Sequence, residues 1–249
     1  MNLRYAEMLP HQMVQARNAR PVAWLPLGCL EWHGEHNCLG LDAIKANELC
    51  LLAAQSGGGV VMPPVIWGES RQSALLEFNF NKGNKVTEKM GIQPEVLAPG
   101  YMGVSVEEEF DLYRRLLLHV LYQISSMGFR VIMMLCGHYP LRSHADLAAQ
   151  QFMAEKNKIK VMAGTEEDFI RDLYPEGGDH AGKWETALMA ALRPELVDKS
   201  KLNGDLSSPL IGVHGADPRG VDLEHFGHEL ARVIAQRLNL AAEKMMCEL

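Results

Sequence analysis

Short apolar runs and amphipathic stretches alternate along the chain, and their order predicts a sheet flanked by helices. Val22, Ala23, Trp24, Leu25 and Leu27 lie between Pro21 and Gly28 and read as a buried strand. After Asp42 an Ala- and Leu-rich segment reads as a helix to about Gln55, stopped by Gly57-Gly58-Gly59. Val60-Val61-Met62 is then a strand ended by Pro63-Pro64. Residues 66 to 104 carry glycines, prolines and little periodicity, which predicts a loop-rich excursion facing substrate or another subunit. Ser105 followed by Glu108 is a capping box opening a helix through Phe110, Tyr113, Leu117, Leu121 and Ile124, ended by Gly128. Arg130 to Leu135 is a strand whose run from Val131 onward is wholly apolar, of the kind covered on both faces. Pro140 suits the first turn of a helix running to about Lys156, and Ile159 to Met162 is a further strand. His180-Ala181-Gly182 leads into a helix with Trp184, Glu185 and Leu188, stopped at Arg193-Pro194. A Gly/Pro loop from Gly204 to Gly220 precedes an amphipathic terminal helix starting near Asp222.

This pattern places the chain in the α/β class: a mostly parallel sheet flanked by helices in one layered domain over residues 1–249, with no linker and no internal repeat. A length of 249 residues supports a sizeable core, and 47% hydrophobic with 22% charged residues is an ordinary globular composition. The net charge of −7 is spread out with no basic stripe, so nucleic acid is not an expected partner. The first twelve residues lack the apolar core of a secretory leader, and no apolar stretch approaches a membrane span, so a cytoplasmic protein without a membrane partner is expected. Cys29, Cys38, Cys50, Cys136 and Cys247 are odd in number and form no Cys-x-x-Cys, which predicts small reduced core residues.

The chemistry concentrates where the first strand ends. Leu25 to Asp42 carries Glu31, His33, His36 and Asp42, and open α/β sheets bind ligands at that edge. In extended chain Glu31 and His33 point to the same side, within reach of one metal ion or of two adjacent ones. His138 stands in the Cys136-Gly137-His138 segment that closes the Arg130–Leu135 strand, and His180 with Glu185 opens a helix, so separated segments offer the same carboxylate and imidazole donors. His225 and His228 have no carboxylate cluster and read as surface or interface residues.

Several of these motifs, in order and across nearly the whole chain, resemble the creatininase (creatinine amidohydrolase) family. Glu31-Trp32-His33-Gly34-Glu35-His36 with Asp42 is similar to its Glu-Gln-His-Gly-x-His followed by Asp. Cys136-Gly137-His138 resembles its Asn-Gly-His turn, and His180-Ala181-Gly182-Lys183-Trp184-Glu185-Thr186 its His-Ala-Gly-x-x-Glu-Thr. Gly212-Val213 through Pro218, Glu224 and Gly227 resembles its C-terminal segment. The resemblance implies a homo-oligomeric, hexameric α/β amidohydrolase with two divalent ions per chain, zinc or manganese with iron also accommodated. It implies hydrolysis of a non-peptide C–N bond, in a cyclic amide or a formamide, by a metal-bridging hydroxide. Carried over, Glu31 and His138 hold one ion, His33 the other, Asp42 bridges them, and His180 passes a proton to the leaving nitrogen.

The chain also departs from the family pattern. Pro140 stands where the family has a glutamate for the second ion, and Glu185 is expected to supply that carboxylate. Glu176 stands at the place of a lid tryptophan, with Trp184 nearby, and Cys136 replaces an asparagine. Asn37-Cys38 replaces a Leu-Pro pair. Pro140 leaves open a second reading, a catalytically silent metal-binding or assembly protein on the same fold. Substrate contacts are expected from Trp67, Glu69, Ser70 and Arg71, and His36 is expected behind the ligands, bonding one of them or its backbone.

Overall fold

A computed structural model describes residues 2–202 and 204–249. Four strands, β1 (Val22–Leu27), β2 (Val60–Val61), β3 (Val131–Cys136) and β4 (Lys160–Gly164), form one sheet in the order β2-β1-β3-β4. All three pairings are parallel, with Ala23 opposite Val60, Val22 opposite Val131 and Val131 opposite Lys160. Every residue of β1 and β3 is buried, as the unbroken apolar runs predicted.

Alternation along the strands divides the core in two. Val22, Trp24, Met133 and Leu135 pack on one face against α2 (Leu41–Gly57), α7 (Lys183–Leu192) and α8 (Leu223–Cys247). Ala23, Leu25, Leu27, Ile132 and Met134 pack on the other against α5 (Val106–Ser126) and α6 (Leu141–Glu155). The predicted capping box holds: the Ser105 hydroxyl accepts from the Glu108 N–H at 3.2 Å, and the Glu108 carboxylate accepts from the Ser105 N–H at 2.8 Å. Asp222 likewise caps α8 by accepting from the His225 N–H at 3.1 Å. No helix among the described residues is long and apolar enough to cross a membrane.

Several expectations need correcting. The helix α1 (Pro10–Ala19) was not visible in the pattern, because its polar sequence buries only Ala16. Residues 66 to 104 are not loop alone: they contain α3 (Leu76–Phe80) and α4 (Lys85–Met90). Among the cysteines Cys29, Cys50 and Cys136 are buried, but Cys38 is half-buried and Cys247 exposed, so the uniform core assignment fails for those two. Trp184, noted near the place of the family's lid tryptophan, is buried against Tyr174 and Phe226, with ring centroids 5.2 Å and 5.0 Å away.

What matters for the site is where the chain changes direction across the sheet. From β1 it moves outward to β2 and then returns to β3 on the other side of β1. A crevice opens beyond the carboxyl ends of β1 and β3, at this switch point. The N-terminus of α2 closes against it only because two turn residues lack side chains. A Cβ on Gly28 would lie 2.4 Å from the Ala43 nitrogen, and one on Gly137 would lie 2.0 Å from the Asp42 carbonyl oxygen.

Candidate metal centre

Glu31 and His33 leave the end of β1, and His138 leaves the end of β3. Asp42 and Glu185 stand in the first turns of α2 and α7, where the helix dipole favours a carboxylate. All five are buried; Glu31, Asp42, His138 and Glu185 line one cleft of about 270 Å³ together with His180, and His33 lies behind them against Asp42. Larger depressions exist, including one of about 980 Å³ between α2 and α8, but that one is lined by a single carboxylate beside His228 and assembles no such donor set.

Asp42 sits between two sets of donors. Its Oδ1 is 3.0 Å from His33 Nε2, and its Oδ2 is 3.2 Å from His138 Nδ1. Around Oδ2, Glu31 Oε1 is 2.8 Å from His138 Nδ1, and the Cys29 thiol donates to Oδ2 at 3.1 Å. Around Oδ1, Glu185 Oε2 lies 3.6 Å from His33 Nε2. In each of the groups Cys29/Glu31/Asp42/His138 and His33/Asp42/Glu185, one donor atom per residue lies within 4.8 Å of the others. A third group, Glu31/His33/His180, overlaps both.

The surroundings orient these donors. His33 Nδ1 faces the Glu31 carbonyl at 3.2 Å; a carbonyl only accepts, so Nδ1 carries hydrogen and Nε2 is turned to the carboxylates. By the same reasoning His180 Nε2 donates to the Trp32 carbonyl at 2.7 Å, which turns Nδ1 toward Glu31 Oε1, 3.6 Å away. The His33 and His180 rings stack at 4.4 Å. Glu31 Oε2 accepts the Leu76 N–H at 2.8 Å, tying α3 to the site, while Oε1 is buried without a well-formed hydrogen bond. His36 bonds the Ala181 carbonyl at 2.9 Å and the Thr186 hydroxyl at 3.1 Å, behind the donors. Ala181 is buried at φ +55°, a left-handed conformation unusual for a residue with a side chain and typical of strain held at working sites.

Charge in the cluster is balanced by protons on the two imidazoles. Burial disfavours charged His33, yet Asp42 and then Glu185 and Glu31 push its pKa up to about 9. His138 is likewise held well above its ordinary value against burial by Asp42 and Glu31, and the two rings in turn hold Asp42 well below the carboxylate range despite its own burial. His180, further from the carboxylates, is lowered by burial and by the charge on His33. The protons on His33 and His138 stand between carboxylates where cations would stand, and Glu31 Oε1, without a well-formed hydrogen bond, faces the same space, so the residues present fit divalent ions.

The structure also brings in residues that the sequence reading passed over. Lys45 is completely buried, donates to Glu185 Oε1 at 2.6 Å, contacts the Glu166 carboxylate, and lies 5.2 Å from the Tyr139 ring centroid. Its visible signal was a lone cation in an apolar helix three residues after Asp42, on the same face. Glu185 is therefore already engaged: Oε1 by Lys45, and Oε2 by the Ala181 N–H at 2.8 Å, with the remaining lone pair of Oε2 free to face His33. Asp179 accepts from the Trp184 and Glu185 N–H groups at 2.9 Å and 3.2 Å and so steadies the start of α7. Cys29 was read only as core.

Of the expected substrate contacts, Glu69 is buried with its Oε1 3.9 Å from His138 Nε2. Trp67 is exposed, Ser70 donates to Glu109 at 2.6 Å, and Arg71 lies 3.9 Å from Glu77, and these residues line a separate cavity of about 430 Å³. The excursion lends the cleft Ala74, Leu76 and Phe80 instead. Pro140 lines the cleft and offers no donor. His225 and His228 are exposed on α8.

Fold and cleft together define a parallel α/β protein with paired carboxylate and imidazole donors at its switch point, the equipment of a metal-dependent hydrolase. Residues 6–226 match the family described as creatinine amidohydrolase, and the chain belongs to this creatininase family. It is a metal-dependent amidohydrolase, acting on carbon–nitrogen bonds other than peptide bonds. A creatinine amidohydrolase of Pseudomonas putida is 29% identical over 197 residues, 73% of this chain and 68% of that protein. Among solved structures, a mutant creatininase of Zn–Zn type superposes with a TM-score of 0.72 at 20% identity, covering 98% of both chains. A manganese creatininase gives 0.71 at 21% identity with the same coverage.

Proposed function

We propose that the chain, as one catalytic domain, hydrolyses the C–N bond of a small cyclic amide or formamide at a centre of two divalent ions, zinc or manganese with iron also accommodated. The observation that carries this reading is Asp42, whose two oxygens face separate donor sets at 3.0 Å and 3.2 Å. Glu31 and His138 hold one ion, and His33 with Glu185 the other. Glu185 takes the place of the donor that Pro140 lacks, through the second lone pair of Oε2. The names of the relatives support the substrate class, and a cleft of about 270 Å³ suits a small molecule.

Two such ions, held by Glu31, His33, Asp42, His138 and Glu185, would supply Lewis acidity for the amide oxygen and an activated hydroxide at neutral pH. The chain's own groups do the rest. His180, with Nε2 committed to the Trp32 carbonyl, has Nδ1 available to carry a proton to the leaving nitrogen. Phe80 and His214, tilted against each other with ring centroids 4.3 Å apart, line the cleft. Exposed Trp67, Met102, Val104 and Leu112 beside the second cavity support a homo-oligomer, hexameric as in the family resemblance, and five free cysteines suit the cytoplasm.

The test is Asp42→Asn, followed by metal analysis of the purified chain and a turnover screen with lactams, guanidino-lactams and formamides. The native chain is expected to carry about two ions and the variant to lose both together with activity. A variant that keeps both ions at native occupancy overturns the bridging assignment.

A further inference from the structure

We infer that Cys29 is a sulfur ligand of the ion held by Glu31, Asp42 and His138, and that this position selects zinc. The inference rests on the two-ion reading above and assigns the chemistry of one of its two positions. Cys29 and Glu31 are two residues apart beyond β1: Glu31 lines the cleft, while Cys29 borders the neighbouring cavity of about 430 Å³ and meets Asp42 from that side. The thiol is buried, its Sγ lies 3.1 Å from Asp42 Oδ2, and it belongs with Glu31, Asp42 and His138 to one group of mutually close donor atoms. A second observation points to a ligand here: Glu31 Oε1 is buried in the same group and makes no well-formed hydrogen bond, although His138 Nδ1 lies 2.8 Å away.

The spacing suits a tetrahedral ion. Bonds of about 2.3 Å to sulfur and about 2.0 Å to nitrogen and oxygen give sulfur–oxygen edges of roughly 3.5 Å and nitrogen–oxygen edges of roughly 3.3 Å. The observed edges are 3.1 Å from sulfur to Asp42 and 3.2 Å and 2.8 Å from His138 to Asp42 and Glu31, so shifts of a few tenths of an ångström complete the shell.

The Cys29 thiol donates to Asp42 Oδ2. On binding, Cys29–SH and a divalent ion become a thiolate–metal bond and a proton released to solvent, with no change of oxidation state. The other donor set, His33, Asp42 and Glu185, contains only nitrogen and oxygen. Soft sulfur favours zinc over manganese, so the two positions differ: one has sulfur among its four protein donors and is zinc-selective, the other has three nitrogen and oxygen donors and tolerates manganese.

The experiment loads the purified full chain with cobalt(II) for near-ultraviolet spectroscopy and with zinc for X-ray absorption. The native chain should show a thiolate-to-cobalt charge-transfer band and a sulfur neighbour of zinc at about 2.3 Å, which needs no variant. Cys29→Ser should abolish the band and lower the zinc-over-manganese preference at that position by about tenfold or more, while Cys136→Ser keeps both. If two ions bind with no band and no sulfur neighbour, Cys29 is only a thiol donor to Asp42, and the two-ion reading survives. If no ion is retained, both fall. A band that persists in Cys29→Ser assigns the sulfur to another cysteine and overturns the inference.

Discussion

Replacing Lys45 by methionine isolates the energetics beneath the site. Lys45 is fully buried, 2.6 Å from Glu185 Oε1 and in contact with Glu166, and methionine matches its length without its charge. Even with Lys45 present, burial pushes Glu166 up to about 7, with Lys45 opposing. Removing the cation leaves two buried carboxylates facing one another, and removing one partner of a buried pair costs about 3–5 kcal/mol. For a chain of this size each kcal/mol shifts Tm by roughly 2–4 °C, so calorimetry of the metal-free protein at pH 8 should show a fall of about 6–20 °C. The loss should shrink at pH 5, where Glu166 takes up a proton rather than remaining charged without a partner. Adding Glu166→Gln should recover more than half of it, because the uncompensated charge goes with the cation. A fall below about 2 °C, or a double variant no more stable than the single one, would refute the claim that Lys45 neutralises this pair.

Three further outcomes follow from the same geometry. His180→Ala should lower kcat by about 10² to 10⁴ with metal content unchanged, as expected of a proton-transfer group; loss of an ion in that variant would make His180 a ligand through Nδ1. His33 has a folded pKa of about 9 against an ordinary 6.5, so its contribution, of the order of 3 kcal/mol, is present below about pH 6.5 and lost as pH rises through about 9. Metal-free protein should therefore need less urea to unfold at pH 9.5 than at pH 6, and saturating zinc should remove that loss, since the ion replaces the proton; equal midpoints in metal-free protein would contradict the charge balance described. Gly137→Ala would place a methyl 2.0 Å from the Asp42 carbonyl oxygen, so unfolding should cost about 1–3 kcal/mol less and metal affinity should fall, measured by urea titration and metal analysis.

Much of the scaffold was legible because its signals are local. β1 and β3 announce themselves as short apolar runs, α5 by its capping box and periodicity, and α8 by Asp222 ahead of an amphipathic stretch. The donor residues were legible as chemistry, since Glu31, His33, Asp42, His138 and Glu185 sit beside turns or helix starts in motifs of recognisable order. α1 escaped because a helix that buries one alanine leaves almost no hydrophobic pattern to read.

Tertiary structure decided the rest. That Asp42 offers one oxygen to His33 and the other to His138 depends on β1 and β3 being neighbours, which no local pattern states. Lys45 reads as a surface lysine until α7 and the end of β4 bring Glu185 and Glu166 to it, and Cys29 reads as core until its sulfur is found against Asp42. Hydrophobic periodicity records which face of an element is buried, and that is settled within a few residues. Which polar groups meet across the buried faces is settled by strand order and by two glycines that admit the N-terminus of α2, and those are properties of the assembled fold.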